Sequence, residues 1–199
     1  MARKPSTYNF RPNALFRAGP DFHLNACVGE NGGPYDLRAY GQGFFDGGKA
    51  IIEAARTRRA PVDILVYPAA FSFRHGIELY LKHLLGKLIT YNQKANDHGK
   101  NRGIADYFDL VAQELGDTTH LSVDPVEIGI AKDIINDFNQ IDPTGQVFRY
   151  PEDLKGNLHL TGINLINVEI LDEGMAVLRN LLEKWIDAVE QLQWESRVF

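Results

Sequence analysis

The chain has 199 residues, 44% hydrophobic, and a net charge of −5; this length buries a sizeable core without staples, and the acidic balance excludes a protein that coats DNA through a broad positive field. One cysteine, Cys27, excludes an internal disulfide framework and any multi-cysteine zinc module, as expected of a protein in a reducing cytoplasm. The basic opening "MARKPSTYNFRPN" has no apolar run behind it, and no window approaches the eighteen apolar residues of a membrane span, so a cytoplasmic protein without a membrane partner is expected.

Residues 1–34 are rich in Pro, Gly and Asn and show no sustained period, which predicts an irregular arm ending at "GENGGP". Phe10, Leu15, Phe16 and Phe22 favour a packed arm over a disordered tail. Residues 35–199 read as one domain. From Tyr35 to Arg56, Leu37, Tyr40, Phe44, Ile51 and Ala55 recur at helical spacing. Gly41, Gly43, Gly47 and Gly48 interrupt that helix, each at up to about 1 kcal/mol relative to Ala. They predict either close approach of another backbone or a break into two shorter helices.

The longest helical segment, "APVDILVYPAAFSFRHGIELYLKHLLGKLITYN", carries Phe73, Ile77, Leu81, Leu84 and Leu88 at three-and-four spacing. Pro68 within it predicts a kink or a helix start there. A polar loop, "QKANDHGKNRG", follows, then a helix over Ile104–Leu115. The next helix takes Ser122 or Asp124 as N-cap and turns Ile130, Ile134, Phe138 and Ile141 inward. "DPTG" is a turn, and the segment near 146–160 has room for two short extended pieces. The last helix starts at Asn167, with a stripe from Val168 through Met175, Leu182 and Trp185 to Leu192 that packs on a neighbour in this chain or in a second subunit. Together these elements predict an all-α, antiparallel up-and-down bundle of about five helices.

Two basic clusters, Arg56/Arg58/Arg59 and Lys94/Lys100/Arg102, read as helix-end and loop solvation. The six histidines show no metal pair on one helical face. "GQGFFDGG" lacks the lysine and the strand-loop-helix setting of a phosphate-binding loop. Neither a metal nor a cofactor is expected.

The candidate ligand-binding residues are Arg74, His75, Glu78 and Lys82 in "FRHGIELYLKHLL", with Arg149 and Tyr150 in "FRYP". On a wheel, Arg74 and Glu78 fall at the margin of the apolar face, and the pairs Arg74/Glu78 and Glu78/Lys82 are both at i,i+4. Pro151 biases Tyr150 toward an extended backbone, so Arg149 sits on a non-helical strut, suited to gripping a carboxylate or phosphate. Three readings stay open: a solvated flank, an Arg149–Glu78 clamp locking strut to bundle, and an anion pocket of Arg74, His75 and Arg149 with Tyr150 as stacking face.

On "FRHGIELYLKHLL" and "FRYP" the chain resembles the HEPN-like (higher eukaryotes and prokaryotes nucleotide-binding) bundles over roughly residues 35–193. The resemblance implies an antiparallel helical bundle, commonly a homodimer, that binds a nucleotide or RNA in defence or toxin-antitoxin systems. The sequence departs from the family's Arg-x4-6-His motif: His159 is too far from Arg149, His83 is too distant from Arg74, and the Arg17/His23 pair lies in the arm. Three functions follow: nucleotide or RNA binding through this cluster, a homodimeric interaction protein with a structural cluster, and a metal-independent ribonuclease with His75 as base.

Overall fold

The computed structural model describes residues 15–29, 31–32, 35–94 and 103–198. The chain divides at Tyr35 and Asp36 into two units, one residue beyond the expected boundary. In the first unit, Asp21 caps a 3-10 turn at Phe22–Leu24. Of the apolar residues expected to pack this arm, Phe22 is 82% exposed. Phe10 lies outside the described residues.

The second unit is an all-α helical bundle, as expected, with helices α1 Leu37–Arg56, α2 Val62–Tyr91, α3 Ile104–Asp117, α4 Pro125–Ile141 and α5 Val168–Val198. Asp36 caps α1, Asp124 caps α4 with Pro125 at its first turn, and the Asn167 side chain accepts the Glu169 and Ile170 amides at the start of α5. α2 begins at Val62 and passes through Pro68 as one helix, so the expected start at Pro68 lies six residues too late. Pro68 removes one backbone donor in the second turn, and the helix continues through it.

α2 is the central element. It packs on α1, α3 and α5, while α4 closes the bundle between α3 and α5. Its residues Ile77, Tyr80, Leu81, Leu84 and Leu88 are fully buried, and dry contact on several sides requires an almost continuously apolar helix. The expected close approach of another backbone occurs at Gly41, and at Gly48 an aromatic ring takes that place. A Cβ on Gly41 would lie 2.5 Å from the Tyr80 ring and 3.3 Å from the Gly76 carbonyl, and one on Gly48 would lie 2.9 Å from Phe73. Gly43 and Gly47 face open space.

Helix directions follow from the cross-links. Arg38 pairs with Asp187 and Glu190 while Arg56 pairs with Glu169 and Asp172, so α1 and α5 run antiparallel. Gly41 meets Tyr80 and Gly48 meets Phe73, so α1 and α2 do too. α3 runs alongside α2 in the same direction: Lys82 meets Tyr107, and ten residues on Asn92 meets Glu114. Twelve residues separate α2 from α3, against five between α1 and α2, which gives the reach a parallel neighbour needs.

The inward face of α4 differs from expectation, and the open choice for α5 is decided. On α4 the buried set is Ala131, Ile135 and Phe138, and Ile130 is 42% exposed, because the helix is gripped from α3 and α5 together and turns between them. The α5 stripe is consumed inside this chain: Met175, Leu178, Leu182, Trp185 and Val189 are all buried. Between α4 and α5, the two expected extended pieces reduce to a single antiparallel bridge, Glu152 with Leu158. No helix among the described residues is long and apolar enough to cross a membrane.

Candidate functional site

The residues singled out on α2 and the strut divide into a buried brace and an open face. Arg74 is only 3% exposed. Its Nη1 donates to Glu78 Oε2 at 3.2 Å, and its Nε donates to the backbone carbonyl of Asp142 at 3.3 Å. Glu78 Oε1 accepts from Lys82 Nζ at 2.6 Å, and that ammonium also lies 5.4 Å from the Tyr107 ring centre. Burial alone would push the Glu78 carboxyl up, but the hydrogen bond from Lys82 and the charges of Lys82 and Arg74 outweigh it and hold the group below the usual range.

The brace reaches Arg149 through Asp142. The fully buried Asp142 ends α4, and its Oδ1 accepts the amides of Gln146 at 2.9 Å and Val147 at 3.2 Å. Gln146 in turn accepts the amides of Arg149 and Tyr150 through its carbonyl. Gly145, at φ +74°, makes the turn that a side chain would strain, and Phe148 anchors it by packing edge-on against Phe138. The expected Arg149–Glu78 clamp does not form. Glu78 is occupied by Arg74 and Lys82, and Arg74 holds the base of the strut by its backbone.

Arg149 is therefore left facing outward. Its guanidinium lies 5.5 Å from the Phe71 ring centre and 5.3 Å from that of Tyr150, and its Nη2 donates to the Tyr150 hydroxyl at 3.4 Å. Arg38, Arg56, Arg74 and Arg179 each pair with a carboxylate; Arg149 has none among the described residues.

His75 lies against the same aromatic group. Its ring stands edge-on to Phe44 at 4.4 Å and parallel to Phe71 at 6.1 Å. Burial lowers its pKa; Glu78 raises it in part, while Lys82, Arg74 and Arg149 lower it further, so the ring is neutral at pH 7. Its nitrogens have no hydrogen-bond partner among the described residues. His75 thus feels three cations, Arg74, Lys82 and Arg149, against the one carboxylate Glu78, a local positive excess in an acidic chain.

Phe44, Phe71 and Asp142 complete the arrangement and were not singled out in the sequence. Phe71, His75, Glu78 and Lys82 share one helical stripe at steps of four, three and four, a signal within reach of the wheel. Of the other basic clusters, Arg56 is engaged by Glu169 and Asp172, and Lys94 by Glu114 and Asp117; Lys100 and Arg102 lie outside the described residues. Comparison with family models, curated proteins and solved structures returns no match.

Proposed function

We propose that this chain is a HEPN-like binding module that holds a nucleotide or an RNA end by its phosphate on the face formed by Arg149, His75, Phe71 and Tyr150. The carrying observation is the unpaired Arg149 guanidinium, held against two aromatic rings. A guanidinium fixed in this way presents a planar fork that matches a phosphate, with less side-chain freedom lost on binding. Neutral His75 adds one hydrogen-bond donor from an otherwise unused ring, and the half-exposed Tyr150 offers a face on which a base can stack.

Binding is favoured over strand cleavage by the same geometry. Metal-independent cleavage requires one group to take the attacking proton and another to protonate the leaving oxygen. His75 is the one uncommitted group in the cluster suited to exchanging a proton near neutral pH, since Lys82 and Glu78 hold each other. The reading places the module in the cytoplasm, and a homodimer would form on surfaces other than the buried α5 stripe.

A thermal-shift series tests the reading. Adenosine, AMP, ADP, ATP and short RNAs with 5′-phosphate or 5′-hydroxyl ends are added to the full chain. Ligands bearing a terminal phosphate are expected to raise Tm, by the equivalent of about 2.7 kcal/mol at a hundredfold excess over Kd, and adenosine is not. Equal shifts from adenosine and AMP, or none from any phosphate, overturn it.

A further inference from the structure

On the other side of the strut lies a second, chemically different site. A cavity of about 290 Å³ opens between α4, α5, α2 and the segment before α5. Its walls include Phe138, Phe148 and Met175, all at least nine-tenths buried. It exists partly because Gly174 on α5 carries no side chain: a Cβ there would meet nothing within 4 Å. It opens to solvent at its rim, where Ile163 and Ile170 are 36% and 69% exposed. A cavity of about 150 Å³ accepts benzene, so this one accommodates a ring with a short chain.

The rim supplies the charge. Among the described residues, Asp137 is the only charged one lining the cavity. Asp137 is exposed and its carboxylate has no ion pair or hydrogen bond among the described residues. Apolar walls under one unmatched carboxylate complement a hydrophobic body with a cationic end.

We propose that this cavity binds a small arylalkyl amine, its ring between Phe138, Phe148 and Met175 and its ammonium at Asp137. The site is independent of the anion face: Phe148 and Ala70 line it, while their chain neighbours Arg149 and Phe71 belong to the other surface.

The test compares phenethylamine, 2-phenylethanol and phenylacetate at equal millimolar concentrations, by thermal shift and by titration, on the full chain. The amine is expected to stabilise most and phenylacetate least. Asp137→Asn should weaken the amine about fivefold, to the level of the alcohol. Gly174→Leu has room for its side chain, should fold with an unchanged or raised Tm, and should abolish all three responses. Arg149→Ala should leave the amine response intact. Four results each overturn the proposal: no response to the amine in the wild type, a carboxylate response equal to the amine's, an amine response that survives Gly174→Leu, or a dimer that Gly174→Leu dissolves, which would seat a second copy there.

Discussion

The Arg149 guanidinium rests 5.5 Å from the centre of the Phe71 ring, joining the strut after α4 to the exposed edge of α2. The contact orients Arg149 without neutralising it, which a carboxylate in the same place would do. An exposed cation–π contact contributes about 0.5–1 kcal/mol. Phe71→Leu keeps the apolar bulk and removes the ring, so stability should fall by no more than about 1 kcal/mol while affinity for a nucleotide phosphate drops several-fold. Denaturant unfolding and a binding isotherm on the same preparation check both halves.

Arg74 and Glu78 should behave oppositely, as structure first. Removing one partner from a buried ion pair costs about 3–5 kcal/mol, and Glu78 keeps 26% of its side chain exposed, which places Glu78→Gln nearer 2 kcal/mol. Arg74→Ala also releases the Asp142 carbonyl and should cost about 3 kcal/mol. Urea midpoints measure both, and a loss under about 1 kcal/mol for Arg74→Ala would contradict the brace.

Acid should remove stability in two windows. Burial holds the His75 pKa low, assisted by Lys82, Arg74 and Arg149. As pH falls below about 6.5 the unfolded chain takes up a proton that the folded ring resists, so stability declines. The Glu78 carboxyl is held low by Lys82 and Arg74 against its burial. Its contribution is present above the ordinary carboxyl value of about 4.3 and is lost as pH falls through the lower folded value. His75→Phe should flatten the stability profile as pH falls below about 6.5, and Glu78→Gln below the ordinary carboxyl value of about 4.3. The second flattening is partial, because Glu183 and Glu190 are held low as well.

The glycines of α1 should split into two pairs. Gly41→Ala and Gly48→Ala press a methyl into Tyr80 and Phe73, an overpacking of about 1–3 kcal/mol. Gly43→Ala and Gly47→Ala meet nothing and gain about 0.5–1 kcal/mol of helix propensity each. Tm shifts of opposite sign within one helix are the expected result.

Much of this fold was legible from residue periodicity. Caps at Asp124 and Asn167, the α5 stripe and the buried face of α2 follow from local patterns that tertiary packing reinforces. The face of α4 was not, because its Ile130/Ile134 and Ala131/Ile135 sets are adjacent and only the two helices that grip it choose between them. The candidate site was half legible. The i,i+4 pairs around Glu78 are a property of one helix and form as read. The link from Arg74 to Arg149 runs through the backbone carbonyl and carboxylate of Asp142, and "DPTG" shows a turn without showing what the turn is tied to.

The central claim is that Arg149 is an uncommitted anion-binding group. Isothermal titration of ADP into the wild type and into Arg149→Ala tests it most directly. Arg149 is exposed and pairs with no carboxylate among the described residues, so the variant should unfold within about 1 kcal/mol of the wild type while its ADP affinity falls about tenfold or more. Equal ADP affinity in the two proteins, or no binding to the wild type, would contradict the account.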